Sequence, residues 1–211
     1  MTDVPQTNPR LDETLLVPAG PFCFGESAEL MYLPPFRIDR YPVTIGLYAE
    51  FLETTGHRAP HGFAALAADD GHRDHPVTRV SWFDARAYCA WKGRGLPTEA
   101  QWEKAARGTG TREYPWGERF DVRRLNSRAA RKRGTTPVTA YPEGASPFGV
   151  LDMAGNVWEW TDSWFDGTGE LMVLKGGCHA LTKEYAAISH RHFNDPGFGN
   201  NLTGFRTIEP L

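Results

Sequence analysis

The sequence predicts an α+β fold of short mixed strands and about three short helices, with a large share of irregular loop. Two features carry that expectation. Helical spacing bounded by cap residues recurs between residues 44 and 108 and then disappears. The half that follows is broken by Pro115, Gly117, Gly134, Pro137, Pro142, Gly144, Pro147, Gly149 and the Gly176–Gly177 pair. The composition agrees, because 22 Gly and 16 Pro favour turns while seven Trp still require packing partners.

In chain order, residues 1–13 form a polar lead-in, and residues 14–211 read as one domain because no repeat or composition shift divides them. The apolar run Leu15–Val17, broken by Pro18 and Gly20 and followed by Phe22-Cys23-Phe24, suggests a first hairpin. Phe36-Arg37-Ile38-Asp39 alternates as a strand does. Thr44 then caps a helix with Leu47, Tyr48, Phe51 and Leu52 on one face, ended by Gly56. A second helix starts at Ser81 with Asp84 three residues on, buries Ala85, Tyr88 and Cys89, and stops at Gly93. A third runs from the Thr98/Gln101 capping box through Trp102, Ala105 and Ala106 to Gly108. Cys89 therefore reads as core. An irregular half of this length, still rich in Trp and Phe, needs something to hold it rigid.

Several functional classes are set aside by composition. With 40% hydrophobic residues and a net charge of −3, the chain is neither disordered nor drawn as a whole to nucleic acid or anionic membrane. No window approaches the ~20 apolar residues of a membrane span, and Met1–Arg10 lacks a signal-peptide core, so a soluble cytoplasmic protein is expected. Cys23, Cys89 and Cys178 are far apart and form no CxxC or CxxH pattern, which argues for reduced thiols.

Four segments in order and spacing resemble the sulfatase-modifying-factor (formylglycine-generating enzyme) family: Val17–Phe22, Ile38–Thr44, the stretch from His75-Pro76-Val77 to Gly95-Leu96-Pro97-Thr98-Glu99-Ala100-Gln101-Trp102-Glu103, and Gly149–Trp160 with its GNVWEW string. Lys175-Gly176-Gly177 and Gly204-Phe205-Arg206 follow. The resemblance covers about residues 14–208 and implies a C-type-lectin-like fold. That fold serves oxidases, sulfoxide synthases and plain binding modules, so it selects no function by itself.

The family's copper oxidases bind Cu(I) through two cysteines shortly after the Gly-Gly pair, as soft thiolates suit that ion. An ungapped reading puts Leu181 and Ala186 at those positions. Formylglycine synthesis by that route is therefore not expected. Cys178, His179, His190 and His192 lie where the family's groove is lined, and imidazole with thiolate would suit a redox metal, iron or copper. The plainer account has His190 and His192 flanking Arg191 on a strand, with His179 bonding a loop carbonyl. The resemblance also implies structural calcium held by Asp152 and Glu159 carboxylates and the Gly155 and Val157 carbonyls; alternatively Glu159 pairs with an arginine and Asp152 caps a turn. Of a second calcium site only Asn126 is in place.

Trp116, Trp158, Arg191 and Asn201 are candidates to bind a peptide or small-molecule ligand in a groove, although buried Trp is more often packing. The basic run Arg123, Arg124, Arg128, Arg131, Lys132 and Arg133 has no interleaved aromatics, reads as a solvated loop, and gives no expectation of nucleic acid. His75 reads as structural. Two functions remain open: a diverged metal-dependent oxidase acting on a peptide or biosynthetic intermediate, and a non-catalytic C-type-lectin-like module that binds a ligand or a protein.

Overall fold

The three helices expected from their caps form where the cap residues place them in the structure, a computed structural model that describes residues 10–211. Most of the polar lead-in, residues 1–9, lies outside the described residues. Helix α1 covers Ile45–Thr55, with Thr44 accepting from the Leu47 amide and Gly56 closing it in the left-handed region. Helix α3 covers Trp82–Lys92, and α4 covers Glu99–Arg107; both open on complete capping boxes, Ser81/Asp84 and Thr98/Gln101. A further five-residue helix, α2 (Phe63–Ala67), was not expected; Gly62 precedes it in the left-handed region without a side-chain cap.

The strands are β1 (Thr14–Val17), β2 (Gly20–Phe24), β3 (Glu29–Leu33), β4 (Phe36–Asp39), β5 (Trp158–Trp164), β6 (Met172–Lys175), β7 (His192–Asn194), β8 (Thr203–Gly204) and β9 (Ile208–Pro210). They form sheets in the orders β1-β4-β9, β2-β3 and β7-β6-β5-β8. The expected first hairpin is corrected here. β1 pairs with β4, and β2 turns back onto β3, so Pro18–Gly20 connects two sheets instead of closing a hairpin. Strand β9 joins β4 antiparallel, on the side of β4 opposite β1.

Two cores result. α1 and α3 pack Tyr48, Phe51 and Tyr88 against Phe205, Trp160 and Leu174. The face of α4 that carries Trp102, Ala105 and Ala106 packs against Val17, Phe36, Ile38, Val150 and Met153. The irregular half is tied by close backbone approaches. Gly155 sits at φ +77°, where a Cβ would stand 2.3 Å from the Asn126 carbonyl oxygen, so only glycine fits. Among the described residues no helix is long and apolar enough to cross a membrane.

Candidate functional site

The Gly-Gly pair sets the site. After β6, Gly176 and Gly177 both adopt positive φ, and a Cβ on Gly177 would come 2.7 Å from the Tyr185 carbonyl oxygen. The segment 178–190 therefore folds back tightly before β7. It delivers Tyr185, His190 and His192 to one aromatic cluster around Trp158 at the start of β5. His192 stacks on Trp158 at 5.0 Å between centroids, His190 lies at 5.9 Å and Tyr185 at 6.5 Å, while Tyr185 and His190 are 4.9 Å apart edge to face. Trp158 is only 3% exposed, so it supports the face and offers no open surface of its own. The residues that meet solvent are Tyr185, His192 and, in part, His190. Both imidazoles titrate below the usual histidine range. Burial is the main cause for each, with the Lys175 ammonium adding to it at His190, and both shifts favour the neutral ring.

Beside this face a cavity of about 570 Å³ is lined by Phe24, Gly25, Glu26, Ser27, Glu99, Ser189, His190 and Arg191. Two of its lining residues, Arg191 and Glu99, open a chain of charges that runs into the protein. Arg191 Nε donates to Glu99 Oε1 (2.8 Å), and Lys175 Nζ lies 3.5 Å from the same oxygen and 3.1 Å from Glu103 Oε2. Arg107 Nη2 and the Gly25 amide both donate to Glu103 Oε1, at 2.9 and 2.6 Å. Glu99 and Glu103 are four apart on one face of α4, a spacing visible in the sequence but not singled out as functional.

The proposed metal set does not assemble. Cys178 is 2% exposed within the α1/α3 core, and burial holds its thiol above the usual range, so it is neither a ready thiolate nor a solvent-facing nucleophile. His179 is part-buried, its amide bonded to the Asn156 carbonyl. Among the described residues, no three His, Cys, Asp or Glu side chains gather as they would around an ion. Leu181 packs against the core and Ala186 is buried, so the copper positions are apolar in space as well as in sequence.

Of the calcium set, Glu159 already has protein partners. Glu159 is buried and both its oxygens are taken: Arg206 donates through Nε to Oε2 (2.6 Å) and through Nη2 to Oε1 (2.7 Å), and Trp102 Nε1 donates to Oε2 (2.8 Å). A guanidinium already supplies the positive charge a cation would bring, so the alternative of an arginine pair is the one that forms. Asp152 accepts from the Asn156 side-chain amide (2.6 Å), and burial raises its carboxyl to about 7. Asn126 Nδ2 donates to the Gly134 carbonyl and to Asn156 Oδ1. Gly155 and Val157 are buried in the same loop.

The remaining candidates divide. Arg191 faces the cavity. Asn201 is exposed on the turn next to Leu202, whose carbonyl accepts from the Trp158 amide. Trp116 is not part of the Trp158 cluster; it stacks on Tyr114 at 5.4 Å and gives its indole N–H to the Arg119 carbonyl. In the basic run Arg123 is bound by Asp121 through two nitrogens, and Arg124 bonds Asp121 and the Glu143 carbonyl. His75 is buried and bonds Thr135 Oγ1, which fits a structural role.

The chain matches the sulfatase-modifying factor enzyme 1-like domain over residues 1–211. It belongs to that family. Among its relatives is a hercynine oxygenase of Mycolicibacterium smegmatis, 32% identical over 87% of this chain and 58% of that protein. The serine/threonine-protein kinase pkn1 of Chlamydia caviae is 34% identical over 83% of this chain and 33% of its own length. The inactive C-alpha-formylglycine-generating enzyme 2 of Bos taurus is 39% identical over 63% of this chain and 50% of its own. The chain thus spans a third to three fifths of these relatives. Among solved structures, PvdO from Pseudomonas aeruginosa superposes with a TM-score of 0.77 at 22% identity, covering 94% of both chains. CarF superposes at 0.75 and 23% identity, covering 95% of this chain and 98% of its own. These two likenesses establish the fold of the family, in agreement with the sheets and helices above.

Proposed function

We propose that this member of the formylglycine-generating-enzyme family binds a small-molecule or peptide ligand against the Tyr185–His190–His192 face and its adjoining cavity, and does not make formylglycine through a copper bis-cysteine centre. The observation that carries this reading is the stacking of His192 on the buried Trp158 indole, with His190 tilted beside the same ring and lining a 570 Å³ cavity. Flat faces of this kind, with few polar groups aimed at them, suit aromatic or heteroaromatic ligands. Leu181 and Ala186 support the negative half, since neither donates to copper.

A diverged oxidase is the second reading, and a specific observation favours it: hercynine oxygenases are relatives over most of this chain, and His190 and His192 are two adjacent nitrogen-donor side chains. Any redox iron or copper there would need further ligands from outside this cluster. Elemental analysis of protein purified without chelator separates the two. The binding reading expects no iron or copper near one per chain, and saturable quenching of tryptophan fluorescence by 3-phenylpropanol or hercynine that is lost in His192→Ala. Stoichiometric iron or copper that disappears in the same variant would replace it with the oxidase.

A further inference from the structure

Resting on that binding reading, we infer that the cavity beside His190 selects a carboxylate, with Arg191 as the recognising group. The charges connected to Arg191 through Glu99 do not cancel. Lys175, Arg107 and Arg191 supply three cations, whereas Glu99 and Glu103 supply two carboxylates, all within 3.5 Å of a neighbour in the chain. Lys175 and Glu103 are fully buried, and Arg107 and Glu99 nearly so, which leaves Arg191, with its side chain 44% exposed, as the cation of the chain that lines the open cavity, beside Glu99.

Arg191 is also held in place before any ligand arrives. Nε is committed to Glu99 Oε1 at 2.8 Å, Nη2 to the Phe165 carbonyl at 3.3 Å, and the guanidinium lies 5.0 Å from the centre of the Phe165 ring. Those contacts fix the plane of the fork and leave Nη1 for an incoming group. A guanidinium immobilised this way loses little freedom on binding a carboxylate, and its bonds to one are charge-assisted. Phe24 and His190 supply apolar and aromatic wall around it, and the Ser27 and Ser189 side chains add neutral polar groups. Glu26 and Glu99 are the carboxylates in the lining, and Glu99 is already shared between Arg191 and Lys175. Glu26 lies on the exposed tip between β2 and β3, where solvent screens it, whereas the Lys175 and Arg107 cations behind Glu99 are buried. A compact acid with an aromatic or aliphatic body is the ligand class that satisfies both parts.

Three ligands with one hydrocarbon body isolate the charge: 3-phenylpropionate, 3-phenylpropanol and 3-phenylpropylamine, titrated against the full chain by calorimetry and by shifts of the histidine ring NMR signals. The expected order is carboxylate, then alcohol, then amine. Arg191→Gln lowers carboxylate affinity about tenfold or more while leaving the alcohol unchanged, and Arg191→Lys recovers only part of it. Thermal melts of both variants confirm that they fold. Equal binding of acid and alcohol, or an acid that binds Arg191→Gln as tightly as the parent, overturns the carboxylate assignment and leaves the aromatic site standing. Preference for the amine overturns it in favour of the Glu26 and Glu99 carboxylates. Failure of all three to bind the parent removes the binding reading along with it.

Discussion

Asp152 shows how one side chain makes stability depend on pH. Its carboxyl is raised from 3.8 to about 7 chiefly by burial, against the opposing pull of the Asn156 amide and Arg206. The native state therefore holds the proton more tightly than the unfolded chain does. Stability contributed at acid pH is lost as pH rises from about 4 through 7, because ionisation then favours unfolding. Asp39 shifts the same way, to about 6, so the two add. Urea unfolding between pH 4 and 8 should show stability falling across that window, and Asp152→Asn should flatten the part of the slope nearest neutrality. An unchanged slope in that variant would mean another group carries it. Burial likewise separates the thiols. Cys89 and Cys178 are buried with thiols pushed up, whereas Cys23 on β2 is half-buried. A disulfide reagent should modify one thiol per chain quickly in the native protein and all three in urea; rapid loss of two would show that Cys178 is reachable after all.

Caps make the helices legible in the amino-acid sequence itself. Ser81/Asp84 and Thr98/Gln101 satisfy both amides of their boxes, and Thr44, Gly56 and Gly93 close the remaining ends, all from residues within four positions of one another. Thr98→Ala should cost about 1 kcal/mol in chemical unfolding. Helix α2 carries no such signal, being five residues after a glycine with no side-chain cap. Strand pairing is less legible for a related reason: β1 finds β4 and β4 finds β9 across stretches that local pattern does not span, so adjacency in sequence suggests the wrong hairpin. The site follows the same division. His190 and His192 on one side of Arg191 can be anticipated from their alternation, but their approach to Trp158 and the Glu99–Lys175–Glu103–Arg107 chain, which joins α4 to β6, show only once those elements pack. Cys178 points into the core because the Gly176–Gly177 turn directs it there, which the side-chain inventory alone does not reveal.

Holding together an irregular half of about a hundred residues is a problem for the whole molecule, and a structural cation is one solution. This chain has another. Arg206, fully buried, joins Glu159 on β5 through two bonds, the Leu151 carbonyl (2.9 Å) and the Asp39 carbonyl on β4 (3.1 Å). One guanidinium thereby ties the GNVWEW loop, the first sheet and the segment before β9, with the Trp102 indole of α4 on the same carboxylate. Removing it would leave Glu159 buried and uncompensated, so Arg206→Ala should destabilise the fold by roughly 3–5 kcal/mol, and Arg206→Lys, which keeps the charge but loses the fork, should recover only part. Because the charge on Glu159 is met from within, the melting temperature should be the same in EDTA and in millimolar calcium. A rise of several degrees with calcium in the parent that vanishes in Asp152→Asn would show that Asp152 draws a cation into the loop beside the guanidinium, and that the two devices operate together.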